Sequence, residues 1–99
     1  MTEKQVTLIL GEKLVATEVP ILKSEMKRLV GERVTTLSLD CTRLTQMDST
    51  GIGCLVAAYN SLTAVNGCLC MIQVSADIYG LLYSMRLDRR IKITPQAAS

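Results

Sequence analysis

Histidine is missing from this 99-residue chain, and so are tryptophan and phenylalanine. Without histidine no Ser-His or Cys-His pair can be assembled, so nucleophilic catalysis of that kind is excluded. Zinc loses one of its usual ligands for the same reason. The three tyrosines are the only aromatic residues, so the core must be built from Leu, Ile, Val, Met and Cys. Charge of one sign is also scarce in excess. Eleven basic residues stand against nine acidic ones, a balance of +2, too weak for a nucleic-acid surface. No basic cluster is interleaved with aromatics, and Arg86, Arg89 and Arg90, beside Asp88, read as a solvated turn. No apolar run approaches the ~20 residues of a membrane span. The polar start, Met1 to Gln5, is unlike a signal peptide. A cytoplasmic location without membrane insertion is the expectation.

Cysteine is present but poorly arranged for chemistry. Cys41, Cys54, Cys68 and Cys70 lack Cys-x-x-Cys spacing, and a chain without a secretory signal is not expected to carry a disulfide framework. Cys68 and Cys70 alternate along an apparent strand and should share one face as buried small hydrophobes. Four free thiols, no metal and no cofactor are expected. Carboxylates are scattered at Asp40, Asp48, Asp77 and Asp88, without a pair for acid–base work.

What is there is a hydrophobic content of 48% with clear periodicity and no linker or repeat. One domain spanning residues 1–99 is expected, with a core over 6–94 and a flexible tail over 95–99. Val6, Leu8 and Leu10 alternate as in a strand, and Gly11-Glu12-Lys13 turns the chain. Thr17 and Glu18 ahead of Pro20 resemble a helix start with a capping hydroxyl. Val19, Leu22, Met26, Leu29 and Val30 form an apolar helix face, with Gly31 as its stop. A strand over Val34 to Asp40 follows, then a loop anchored by Leu44 and Met47. The spacing predicts a long helix from Ser49 to Val65, with Ile52, Leu55, Val56, Tyr59 and Leu62 inward. Asn66-Gly67 ends it.

Cys68 to Val74 is a nearly unbroken apolar run, as in a parallel strand covered on both faces. Ser75 can cap a third helix with Ile78, Leu81, Leu82 and Met85 on its face, and Arg90 to Thr94 makes a last strand. Strands alternating with helices define an α/β domain with a largely parallel sheet. Functional loops in such sheets lie at the carboxyl ends of the strands, where the loop after Asp40 leads to Ser49.

The segment Leu44 to Gly53 carries more polar and glycine residues than a helix start requires. Asp48 or Ser49 suffices as a cap, and two glycines in the first turns cost about 1 kcal/mol each against alanine. Gly51-Ile52-Gly53 is only half of a dinucleotide fingerprint, with Val56 at the third glycine position. A serine at an exposed helix N-terminus, however, suits a phosphate, whose charge would meet free N–H groups and the positive end of the helix dipole.

Met47-Asp48-Ser49-Thr50-Gly51-Ile52-Gly53 resembles the signature of STAS domains, in particular the bacterial anti-sigma factor antagonists. Thr36 to Asp40, the Gly67 turn and strand beyond, and Ile78, Leu81, Leu82 and Leu87 resemble the family's neighbouring units, so the likeness covers residues 6 to 94. It implies a STAS-like α/β fold: a mostly parallel mixed sheet of about four strands packed by three helices, here lacking the usual C-terminal helix. It implies a binding protein rather than an enzyme, active in transcription regulation. Ser49 would be the phosphoacceptor and Thr50 a lesser one. Asp48 would position the serine hydroxyl, and Met47, Gly51, Ile52 and Gly53 would complete the partner surface. The implied partners are an anti-sigma factor with serine kinase activity and a serine phosphatase; an adaptor role in a transport complex, such as a lipid-transport ABC assembly, is the alternative. Val15 stands where the family often has an Asp that contacts the kinase. The usual first edge strand and last helix have no counterpart here, which would leave apolar surface for a homodimer or a larger complex.

Overall fold

The computed structural model describes residues 4–96. Its elements follow the expected alternation: β1 (Gln5–Ile9), β2 (Lys13–Leu14), α1 (Val19–Gly31), β3 (Thr36–Asp40), β4 (Gln46–Met47), α2 (Ser49–Ala64), β5 (Cys68–Val74), α3 (Ala76–Ser84), a single 3-10 turn at Leu87–Arg89, and β6 (Lys92–Pro95). The main sheet has the order β1-β3-β5-β6, and every neighbouring pair is parallel. Two pairs of residues, β2 and β4, form a separate parallel ladder that periodicity did not reveal.

The strand order advances in one direction. Right-handed crossovers then place α1, α2 and α3 on the same face of the sheet. Burial agrees. Leu37, Leu39, Leu69 and Met71 on that face are buried, and Val6, Leu8 and Ile93 pack against the same core. On the other face Thr36, Ser38, Asp40, Cys70 and Ile72 are only half-buried, while Thr7, Ile9 and Cys68 are exposed. Two expectations are therefore corrected. The apolar run in β5 is covered on one face, not two, and Cys68 and Cys70 share a face that is open rather than buried. An apolar run by itself cannot report how many layers cover it.

The helices differ in detail from the pattern. α1 begins at Val19 with Pro20 in its first turn, but Glu18 is the capping residue and makes no side-chain cap bond. The Thr17 hydroxyl donates to the Glu18 carboxylate instead. Val19, Leu22, Met26 and Leu29 are buried as expected. α2 is rotated relative to its expected face: Gly51, Cys54, Leu55, Ala58 and Leu62 are buried, and Ile52, Val56 and Tyr59 only partly so. Small residues on the inner face let α2 approach α1 and the sheet closely. Left-handed residues close each helix, and none is glycine: Arg33, Asn66 and Arg86. Gly67 serves close packing, since a Cβ there would lie 2.7 Å from the Thr35 carbonyl oxygen. In α3 the expected cap is present, the Ser75 hydroxyl accepting from the Ile78 amide at 3.3 Å.

Candidate functional site

The site is the entry to α2, and the small β2–β4 ladder positions it. Lys13 pairs with Gln46 and Leu14 with Met47. The amides of Thr45 and Gln46 both donate to the Glu12 carbonyl, at 2.8 and 3.1 Å, and the Asp48 amide donates to the Leu14 carbonyl at 3.3 Å. The chain therefore reaches Asp48 already tied to the segment that leads into α1.

Asp48 is extended (φ −108, ψ −177) and caps α2. One carboxylate oxygen accepts from the Gly51 amide at 2.9 Å. The other accepts from the Ala16 amide at 3.1 Å, across 32 positions of sequence. Both oxygens thus hold backbone amides, and the carboxylate ties the start of α2 to the turn before α1. Val15, in that turn, is half-buried, and its carbonyl accepts from the amides of Glu18 and Val19.

Gly51 is buried for a steric reason. A Cβ at this position would sit 2.2 Å from the Leu14 carbonyl oxygen. Gly53 differs: nothing lies within 4 Å of its would-be Cβ, and it is exposed. Ser49 and Thr50 are exposed in the first turn, and Met47 and Ile52 are half-buried beside them. Along the helix surface Ser49, Gly53, Ala57 and Asn60 are all exposed. None of the sixteen residues of α2 is charged. Ser49 thus heads a smooth, uncharged strip of small side chains at the positive end of a helix dipole.

Asp40, which ends β3, plays a local part. Its carboxylate accepts from the hydroxyl of Thr42 at 2.6 Å and its amide at 2.9 Å, and these bonds lower its pKa. Cys41, beside it, is buried, and burial first and the nearby Asp40 charge second push its thiol up to about 12, so it stays protonated. Among the described residues no group of three or more Cys, Asp or Glu side chains is placed to hold a metal. No helix there is long and apolar enough to cross a membrane.

A one-directional parallel sheet carrying three helices on one face, with an Asp-capped helix entry exposing a serine, defines a small α/β domain of the STAS type. The STAS domain family profile matches residues 2–99, and the chain belongs to that family. Comparison with curated proteins yields no match. Among solved structures, the Bacillus cell fate determinant SpoIIAA in its phosphorylated form is similar, with 22% identity, 93% of this chain and 84% of that chain covered, and a TM-score of 0.73. The Thermotoga maritima protein TM1081 gives 20% identity, coverage of 96% and 86%, and a TM-score of 0.81. A sulfate transporter family protein from Wolinella succinogenes gives 18% identity, coverage of 93% and 77%, and a TM-score of 0.79. At these identities the likeness establishes the fold.

Proposed function

We propose that the protein is an anti-sigma factor antagonist in a partner-switching circuit, acting in the cytoplasm as a single domain over residues 1–99. Unphosphorylated, it binds an anti-sigma factor that is also a serine kinase and so frees a sigma factor. Phosphorylated on Ser49, with Thr50 the lesser acceptor, it lets go, and a metal-dependent serine phosphatase resets it. It binds and releases, and runs no reaction of its own. The observation that carries this reading is the exposed Ser49 at the head of an uncharged helix strip. A phosphate there adds about −1.5 to −2 charges to a helix that carries none of its own beyond the Asp48 cap. The structure of SpoIIAA in a phosphorylated form lends support by analogy of fold.

The partner surface would comprise Met47, Asp48, Ser49, Thr50, Gly51, Ile52 and Gly53. Its core is the backbone of the first turn, held rigid by Asp48 and Gly51. Val15 at the family's usual Asp position gives the neighbouring turn an apolar rather than acidic contact, which would select a different kinase face.

A second reading keeps the fold and changes the partner: an adaptor domain of a transport complex, supported by the similarity to a sulfate transporter family protein. A pull-down from native lysate with and without phosphatase treatment separates the two. Phosphatase-dependent capture of a histidine-kinase-like ATPase fits the switch; phosphatase-independent capture of a transporter subunit fits the adaptor and overturns the switch.

A further inference from the structure

We propose that the groove between α1 and α2 binds a single-chain carboxylate amphiphile, the chemistry of a free fatty acid, with Lys23 and Lys27 holding the head and the apolar floor holding the chain. The groove has a volume of about 370 Å³, toward the lower end of the ~300–1,000 Å³ of small-molecule sites. Met26 of α1, Leu37 of β3, and Cys54 and Leu62 of α2 line it, and all four are buried. It therefore reaches down between the helices toward the sheet. Ser61, exposed on the α2 side, is too short to cover it.

Charge selects the occupant. Lys23 and Lys27 stand one turn apart on α1, and both line the groove. Like charges at i and i+4 oppose each other on a helix, and no neighbouring acid offsets them. Glu25, the one acid within α1, is held by Arg28 at 2.7 Å. α2 has no charged residue, and no acid lines the groove. Among the described residues neither lysine forms an ion pair. Burial raises the pKa of the Cys54 thiol, and the Lys23 charge pulls it part of the way back, which places that ammonium close to the apolar floor.

Two cations over an apolar groove complement a ligand that carries an anion on an apolar chain. The space is less than one turn of a helix about 10 Å across, so it fits a chain and not a partner's helix. Two other cavities lack the combination. The trough beside β1 is lined by Glu12, Glu18 and Glu25 as well as by Lys13 and Arg43. The hollow at Tyr83 sets Asp88 beside Arg86 and Arg89 and has no aliphatic residue in its wall. Ser49 does not line the α1–α2 groove, so the site stands independently of the proposed switch.

Calorimetric titration of the full chain with dodecanoate, kept below its micelle concentration, tests the proposal. One dodecanoate should bind per chain. Octanoate should bind about a hundredfold more weakly, because four methylenes leave the groove. Dodecanol, which lacks the charge, should bind at least about tenfold more weakly. Lys23→Gln combined with Lys27→Gln should weaken dodecanoate by about tenfold to a hundredfold, with Tm at or above wild type because a like-charge pair is gone. Ser61→Leu should fill the groove and weaken binding as well. Cys54 in the floor supplies a second readout: dodecanoate should slow its reaction with a thiol reagent and leave Cys68, outside the groove, unchanged. A wild type that does not bind dodecanoate overturns the proposal, as does equal binding of dodecanol or undiminished binding by the double lysine variant. Faster labelling of Cys54 overturns it too, because dodecanoate would then be acting as a detergent. An acidic helical peptide that protects Cys54 where dodecanoate does not would assign the groove to a protein partner and overturn the fatty-acid site.

Discussion

The carboxylate of Asp48 and the amide of Ala16 meet at 3.1 Å, joining the entries of two helices that lie far apart in sequence. The same carboxylate also caps α2 through Gly51. One side chain therefore sets both the local geometry around Ser49 and its position against the turn at Val15.

Replacing Asp48 should show both bonds. Asp48→Ala loses the cap, worth about 0.5–2 kcal/mol, and leaves the Ala16 amide unpaired, for a total loss of about 1–3 kcal/mol. Asp48→Asn keeps one acceptor oxygen and should lose less than Asp48→Ala. Urea denaturation of the three proteins measures the difference. An Asp48→Ala as stable as wild type would show the bridge to be incidental.

The two glycines of the motif should respond with opposite signs. Gly51→Ala pushes a methyl group against the Leu14 carbonyl, and the backbone must shift, at a cost of about 1–3 kcal/mol. Gly53→Ala meets nothing and gains helix propensity, about 0.8–1 kcal/mol. Thermal unfolding should place Gly51→Ala below wild type and Gly53→Ala above it. If Gly53→Ala then binds the anti-sigma partner poorly, the residue belongs to the docking surface.

Phosphorylation of Ser49 should disturb binding and not folding. On the free protein the added charge sits in water at a helix N-terminus, where an anion gains about 0.3–1 kcal/mol. In a docked complex the same group is pressed into a partly dry interface, and an unpaired buried charge costs about 3–5 kcal/mol. Only ~2.7 kcal/mol weakens binding a hundredfold, so the interface effect wins. Ser49→Ala should bind constitutively, and Ser49→Asp more weakly than wild type, with Tm nearly unchanged in both. Calorimetric titration with the anti-sigma partner decides: equal affinity for wild type, Ser49→Ala, Ser49→Asp and the phosphoprotein removes Ser49 as the switch.

The thiols should separate by burial. Cys68 is exposed, whereas Cys41 and Cys54 are buried. Labelling of the native protein should reach Cys68 first, and all four only after denaturation. Cys41 carries a pH consequence. Its pKa is raised from the ordinary 9.0 to about 12 by burial, with a smaller push from Asp40. The unfolded chain therefore ionises first, so this contribution to stability is whole below pH 9.0 and declines as pH rises toward 12. Cys41→Ser or Cys41→Ala should flatten the alkaline limb of a stability–pH curve.

Much of the site was legible in the linear sequence. Asp48 before Ser49 marks a helix entry because a carboxylate there pairs with amides that the helix cannot satisfy. Cys68 to Val74 and the cap at Ser75 were equally readable, since strand length and capping are local properties. The β2–β4 ladder was not legible: two residues per strand are too few to show a period. Nor were the left-handed residues that end α1 and α3, because Arg33 and Arg86 took a role usually signalled by glycine, whereas Asn66 beside Gly67 marked the end of α2.

The sequence by itself determined the alternation of strands and helices, the aliphatic core and the serine at the head of α2, all set by contacts among near neighbours. Only the tertiary structure decided that the helices gather on one face, that Cys68 and Cys70 face the open side, and that Gly51 had to be glycine. The physical reason is that these depend on strand order and on the approach of Leu14 and Ala16, residues more than thirty positions away from α2, whose packing no local periodicity encodes.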